Sequence, residues 1–347
     1  MTNNLQADLE HIFSNIDSLW ENFRNSNIFL TGGTGFFGKW LLESFIYANE
    51  QKKLNAKITV LSRAPLKFIK EFPHLANGRR VNFLKGNVID FEFPTERFDY
   101  VIHAATEVNA KLNDQNPLEI FDIIVHGTRR VLDFAVKCKA RRFLLTSSGA
   151  IYGKQPPQCI NISEEYNGAP DPLNPISTYG EAKRASELLC SIYQRQHDLS
   201  FSIARCFTFV GPYLNLDIHF AVGNFIRNIL NGENINISGD GSPYRSYMYT
   251  ADLTIWLWTI LIKGKNNEAY NVGSDKAISI LELAELIKEN SKDKSIIISK
   301  KGKFQKTPER YVPSIEKAKH DLGLNITIDL PEAIQRTISF HKSNYKK

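Results

Sequence analysis

Short apolar runs bounded by polar or turn residues recur at 28–30, 58–61, 81–84, 100–104, 142–146 and 202–206. Runs of this length without alternation predict strands buried on both faces, as a parallel sheet covered by helices requires. Between them the apolar spacing changes to the helical period, most clearly over 117–137 and 179–197. Strand alternating with helix predicts an α/β fold with a doubly wound parallel sheet. Past about residue 210 the pattern loosens. Short runs at 235–237 and 296–298, with helical spacing over 221–230, 280–290 and 315–322, predict a smaller mixed lobe. The expected division is an N-terminal helical extension (1–26), a sheet domain (27–210) and a lobe (211–347) interleaved with it. In the extension, Leu9, Ile12, Phe13, Ile16, Leu19, Trp20 and Phe23 share one helical stripe. Such a stripe packs either on the edge of its own core or against a second copy. The Pro-rich stretch 155–175 reads as a long loop, and loops of that length are often functional.

The first strand runs into Thr31-Gly32-Gly33-Thr34-Gly35-Phe36-Phe37-Gly38, with helical spacing after it and a second strand beyond. Gly32, Gly35 and Gly38 have roles to match this spacing: a sharp turn, close approach of backbone to a pyrophosphate, and packing of helix on strand. The helix N-terminus then offers N–H groups and a favourable dipole to an anion. A dinucleotide cofactor is therefore expected here.

Composition narrows the choice. Of 347 residues, 42% are hydrophobic and 23% charged, ordinary globular usage, and the formal charge of +6 is spread out apart from Lys-rich stretches at 300–306 and 342–347. No basic stripe with interleaved aromatics is present, which argues against nucleic acid, while a mild positive excess suits an anionic small substrate. Cys138, Cys159, Cys190 and Cys206 lack CxxC spacing, so neither a metal site nor a disulfide framework is expected. The polar N-terminus lacks an apolar h-region, and the most apolar stretch, 253–262, is too short to span a bilayer. A soluble cytoplasmic protein with no membrane partner is the expectation.

Two further patterns carry chemistry. Tyr179 and Lys183 form Y-x-x-x-K on one helix face, where a lysine cation favours phenolate and lowers the tyrosine pKa toward working pH. The fifth strand ends in Thr146-Ser147-Ser148-Gly149, at the carboxyl edge where open α/β sheets bind ligands.

Taken in order, glycine loop, serine-rich strand end and Tyr/Lys helix make the chain resemble an extended short-chain dehydrogenase/reductase of the branch that acts on nucleotide sugars, over about residues 26–340. The resemblance implies a Rossmann domain with a C-terminal substrate lobe and a catalytic Ser148, Tyr179 and Lys183. Tyr179 would exchange a proton with the sugar oxygen, Lys183 would tune it and hold the nicotinamide ribose, and Ser148 would bond the reacting oxygen. It further implies cofactor contacts at Gly32, Thr34, Gly35, Phe36, Phe37, Gly38, Ser62, Arg63, Asn87, Val88, His103, Ala104, Ala105, Thr146 and Cys206, besides Tyr179 and Lys183. Substrate contacts are implied at Ser148, Gly149, Asn224, Arg245 and Arg310, the two arginines clamping a diphosphate. Relatives of this type commonly pair through two long helices, here 117–137 and 179–197, which implies a homodimer.

Two departures bear on the reaction. The second strand ends in Ser62-Arg63, with no acidic residue for the adenosine ribose, so NADP(H) is favoured over NAD(H). Gly149 and Ala150 stand where the family's 4,6-dehydratases carry an Asp-Glu pair and its decarboxylases a glutamate at the second position. Neither can move a proton, so those reactions would need a carboxylate from elsewhere, such as Glu107, Glu164 or Glu165. Reduction of a 4-keto-6-deoxyhexose nucleotide, dTDP-linked, is the reaction the resemblance favours. The alternatives are a 4-epimerase with retained NAD and a non-catalytic cofactor-binding subunit.

Overall fold

The computed structural model describes residues 5–76, 80–105, 115–217, 220–291, 295–302 and 307–344. Its strands are β1 (Asn27–Thr31), β2 (Lys57–Ser62), β3 (Val81–Lys85), β4 (Tyr100–His103), β5 (Arg142–Ser148), β6 (Phe201–Cys206), β7 (Phe209–Val210), β8 (Ile235–Ile237), β9 (Tyr244–Arg245), β10 (Met248–Tyr249), β11 (Glu268–Val272), β12 (Ile278–Ser279), β13 (Ile298–Lys300) and β14 (Arg310–Tyr311). Its α-helices are α1 (Gln6–Asn15), α2 (Phe36–Lys52), α3 (Pro65–Glu71), α4 (Pro117–Lys137), α5 (Thr178–His197), α6 (Ala221–Asn231), α7 (Thr250–Lys263), α8 (Ile280–Glu289), α9 (Glu316–Leu322) and α10 (Leu330–Asn344).

Seven strands form one sheet in the order β3-β2-β1-β4-β5-β6-β11. Every pair in it is parallel. The chain steps outward from β1 in one direction to β3, then crosses to β4 on the other side. That reversal between β1 and β4 opens a crevice at the carboxyl edge. Leu30, Val60, Ile102 and Leu144 are fully buried at the sheet's centre, as strands covered on both faces require. The seventh strand, β11, is one the periodicity missed. It comes from the expected lobe region yet pairs with β6, because Tyr270 and Val272 continue the buried face.

The lobe is made of short pairs. β12 is antiparallel to β9, and β14 is parallel to it on the other side. β8 pairs with β13, which starts at Ile298, so the apolar run 296–298 mostly precedes its strand. Helix α8 opens on a capping box, Ser279 with Glu282. Helix α7, the most apolar stretch of the chain, is buried against the sheet, not exposed to lipid. Among the described residues no helix is long and apolar enough to cross a membrane.

The N-terminal stripe packs on this protein's own core. Leu9, Ile12, Ile16, Leu19, Trp20 and Phe23 are buried, with Trp20 and Phe23 edge-on to Trp258 of α7 at 5.6 and 5.0 Å between ring centroids. Asp8 joins the two ends of the chain. Its carboxylate accepts the Tyr249 hydroxyl at 2.6 Å and pairs with Arg336 of α10.

Candidate active site

The glycine loop leaves β1 and enters α2 at the crevice. Gly32 has φ +74°, and a Cβ there would lie 2.4 Å from the Ala104 carbonyl oxygen, so only glycine fits. A Cβ on Gly38 would meet the Gly32 carbonyl oxygen at 2.3 Å. Gly38 thus lets α2 seat on the loop backbone, whereas the spacing alone suggested packing on the strand. Gly33 does the work facing the sheet, since a Cβ there would touch Val60 Cγ1 at 2.7 Å. Gly35 differs: it is exposed, and a Cβ would meet only the Gly32 oxygen, at 3.3 Å. It is the N-cap of α2 and supplies no side-chain cap, which leaves the first-turn N–H groups for an anion. Thr34 is half-buried in the same loop. Phe36 and Phe37 pack on the core, Phe37 edge-on to Phe209 at 5.1 Å. The open glycine and uncapped helix end fit a pyrophosphate.

Along the carboxyl edge, Ser62 closes β2 with its hydroxyl accepting the Ala64 N–H at 3.3 Å, and Arg63 beside it is exposed. Asn87 caps the turn after β3 through its carbonyl, which accepts from Phe91 at 2.9 Å. Val88 is buried against α4, where a Cβ on Gly127 would meet its methyl at 2.9 Å. His103 ends β4, but its imidazole belongs to the core. Nδ1 meets the Thr31 hydroxyl at 2.7 Å and Nε2 the Thr128 hydroxyl at 3.1 Å. Burial, with the nearby Lys183 charge, holds it neutral by lowering its pKa to about 3. Ala104 and Ala105, which follow it, are half-buried.

Strand alternation separates the two serines of β5. Ser147 donates to Glu187 at 2.5 Å, and Glu187 is paired with Arg205 at 2.8 Å. Ser148, the next residue, lies close enough to the Tyr179 phenol of α5 for hydrogen bonding to pull against the burial that raises it. Lys183, one turn on, is buried and donates to the Thr146 carbonyl oxygen at 2.8 Å. Its Nζ is 6.0 Å from the Tyr179 ring centroid. The three elements β5, α5 and the end of β6 thus bring Ser148, Tyr179, Lys183 and buried Cys206 together.

The electrostatics correct the expectation that lysine lowers the tyrosine. Burial dominates and pushes the Tyr179 phenol up to about 12, with the Ser148 bond opposing it. Burial also brings Lys183 down to about 8 and raises Cys206 to about 12. The phenol therefore holds its proton at neutral pH and is poised as an acid.

Sequence reasoning overlooked Tyr311. Its ring lies on Phe207 with centroids 4.7 Å apart, and burial pushes its phenol up while nearby Ser148 pulls against that shift. A Cβ on Gly149 would come within 2.7 Å of both the Tyr311 hydroxyl and the Phe207 ring. The signal was the glycine itself, which frees space at a strand end for a bulky partner from elsewhere. Of the carboxylates considered, Glu164 accepts the Asn271 N–H at 2.6 Å and Glu165 is exposed; Glu107 lies outside the described residues.

Asn224 and Arg245 line one cavity of about 320 Å³ with Phe225 and Gly239. Arg245 reaches Glu309 at 3.8 Å, and Arg310 lies over the Tyr244 ring at 4.7 Å, so β9 and β14 place both arginines on neighbouring strands. A larger hollow of about 720 Å³ opens beside α5 at Phe121, Leu188 and Arg205, and includes none of Ser148, Tyr179 and Lys183. Among the described residues no group of His, Cys, Asp and Glu is placed to hold a metal ion.

The NAD dependent epimerase/dehydratase family model matches residues 28–273. The chain is 30% identical over 310 residues to UDP-glucuronic acid decarboxylase 6 of Arabidopsis thaliana, covering 89% of this chain and 87% of the plant protein. It is 27% identical over 339 residues to UDP-glucuronic acid decarboxylase 1 of Xenopus tropicalis, covering 98% and 77%. The solved UDP-glucose 4-epimerase of Thermotoga maritima shares the fold, with a TM-score of 0.78 at 24% identity over 92% of this chain and 99% of the other. With the parallel sheet, the glycine loop and the serine–tyrosine–lysine cluster in place, the chain belongs to the NAD dependent epimerase/dehydratase family and is an enzyme of the extended short-chain dehydrogenase/reductase type.

Proposed function

We propose that the protein reduces a 4-keto-6-deoxyhexose carried on a nucleoside diphosphate, dTDP in the first instance, at C4. The observation that carries this reading is the environment of Ser148. Gly149 and Ala150 offer no proton-transferring side chain, and the space above Gly149 holds the Tyr311 hydroxyl. The chain's decarboxylase relatives therefore do not transmit their reaction with their fold. The nicotinamide of the cofactor supplies the hydride. As the carbonyl electrons move onto oxygen, Tyr179 gives that oxygen its proton, and Ser148 steadies it with a hydrogen bond. Reduction consumes a proton, and the buried Tyr179 phenol, pushed up to about 12, is the group that would give it. Lys183 holds charge next to the tyrosine as it becomes anionic.

Ser62 and Arg63 support NADP(H) as the preferred cofactor. Arg245 and Arg310 are the proposed diphosphate clamp, with Asn224 at the nucleotide. Leu118 on α4 and Leu188 on α5 are 70% and 62% exposed, which supports pairing of two copies through these helices. The test is incubation with NADPH and a panel of 4-keto-6-deoxy sugar nucleotides, followed by mass and absorbance. Consumption of NADPH with a gain of two hydrogens on the sugar is expected. Stoichiometric NAD⁺ released from denatured protein, with no net reduction, would overturn the reductase and point instead to an epimerase that recycles its hydride internally.

A further inference from the structure

A row of polar side chains crosses one face of the sheet. Ser147, Arg205 and Asn271 stand side by side on β5, β6 and β11. Ser147 and Asn271 are buried, and Arg205 and its partner Glu187 keep only 16% and 12% of their side chains exposed. An ion pair taken out of water adds little net stability over an apolar replacement, so what such a row supplies is position. Its hydrogen bonds are well filled. Arg205 Nε and Nη2 donate to the Glu187 carboxylate at 3.2 and 2.8 Å. Nη1 donates to the Tyr152 hydroxyl at 2.8 Å and to the Glu164 carbonyl oxygen at 3.2 Å.

The row reaches two regions of the site. On one side, Glu187 accepts the Ser147 hydroxyl at 2.5 Å. It lies one helical turn beyond Lys183, which donates to the Thr146 carbonyl oxygen at 2.8 Å. Helix α5 is thereby pinned to β5 at the two residues preceding Ser148. On the other side, the Tyr152 hydroxyl donates to Asn271 Oδ1 at 2.8 Å. Asn271 Nδ2 donates in turn to the carbonyl oxygens of Ile162 and Ser314, at 2.9 and 3.2 Å. Ile162 accepts the Ser314 N–H at 2.8 Å and donates to the Val312 carbonyl oxygen at 2.9 Å. Segment 312–314 directly follows β14, which carries Arg310.

We propose that Arg205 is a positioning residue that joins these regions: one guanidinium sets the end of β5 bearing Ser148 against the segment bearing Arg310, so that the reacting oxygen and the diphosphate are placed by the same group. The roles of Ser148 and Arg310 rest on the function proposed above. The link between their segments does not.

Arg205→Lys keeps the charge and loses the fork, because an ammonium is a compact point with three donors. Tyr152→Phe keeps the ring and breaks only the relay to Asn271. Both are made in the full chain and read by amide hydrogen exchange, and by initial rates with NADPH and a dTDP-4-keto-6-deoxyhexose. In Arg205→Lys, exchange is expected to rise about tenfold over both 145–148 and 310–314 and to stay unchanged over the glycine loop, 31–38. In the same variant kcat should fall about tenfold and substrate KM rise about fivefold, with the NADPH dissociation constant within about twofold. Tyr152→Phe should loosen 310–314 without 145–148 and raise KM at nearly constant kcat. Exchange raised by Arg205→Lys in only one of the two segments, or equally over 31–38, overturns the proposal, as does paired loosening that leaves kcat and KM of an active enzyme unchanged. A Tyr152→Phe protein indistinguishable from the parent also overturns it, and decides the matter if Arg205→Lys does not fold. Paired loosening in a protein that reduces no keto sugar removes the reductase reading and leaves Arg205 in its role. An active reductase without paired loosening does the reverse.

Discussion

The glycine loop and the segment 310–313 are built in different ways. The loop is held by its immediate neighbours: Gly32 against the strand beside it, Gly33 against Val60, Gly38 against the loop itself. The segment 310–313 is held from afar, by Tyr244 and Arg245, by Gln155 and by a bridge between Ile162 and Pro313. The first is a shape that a short sequence dictates. The second is a position that several distant stretches must agree on. Cofactor geometry in such a protein is therefore robust to change in the lobe, while substrate geometry is open to it.

Substitutions on the two sides should separate accordingly. Tyr179→Phe lies where they meet and should cost most, about 10³-fold in kcat with cofactor affinity within about twofold, read by initial rates and calorimetry. Gly38→Ala should break the local side. A methyl 2.3 Å from the Gly32 oxygen must displace α2, lowering unfolding free energy by about 3 kcal/mol in urea titration and weakening cofactor binding. Gln155→Ala should break the distant side. It strips hydrogen bonds from Cys159, Ile160 and Val312, for about 2 kcal/mol, and should raise substrate KM while leaving the cofactor dissociation constant unchanged.

Two smaller effects sharpen the contrast. His103 is neutral in the fold, with a pKa near 3 against an ordinary 6.5. The unfolded chain binds more protons between those values, so stability from this group is present above pH 6.5 and lost as pH falls toward 3. In His103→Gln the acid limb of a stability–pH profile should be shallower, and a slope equal to that of the parent would remove His103 as its source. Arg63→Ala should raise the NADPH dissociation constant several-fold more than that of NADH, roughly the worth of one exposed charge contact. Equal effects on both would leave no ground for preferring NADP(H).

The same contrast explains what could be read in advance. The six strands from β1 to β6 carry short apolar runs, buried except along the edge strand β3, and were visible, as were α4 and α5, whose helical spacing is continuous. Strand β11 was not, because Glu268 and Asn271 interrupt its apolar run and its partner β6 lies far back along the chain. Tyr179, Lys183 and the glycines sit at fixed local spacings. Tyr311 has none, and its place beside Gly149 arises only when β9, β14 and the loop from Gln155 are assembled. The direction of the Tyr179 shift was misread for a related reason: spacing shows that Lys183 is near, whereas burial, which raises the phenol, is a property of the packed whole.

The clasp at Asp8 sets the timetable of the molecule's birth. Asp8 of helix α1 is made long before its partners Tyr249 and Arg336, so the clasp must wait for most of the chain between them. Contacts of such wide sequence separation form late and slow the final step. Until α7 has been made, Trp20 and Phe23 lack the Trp258 ring they pack against, and the growing chain needs shelter for them.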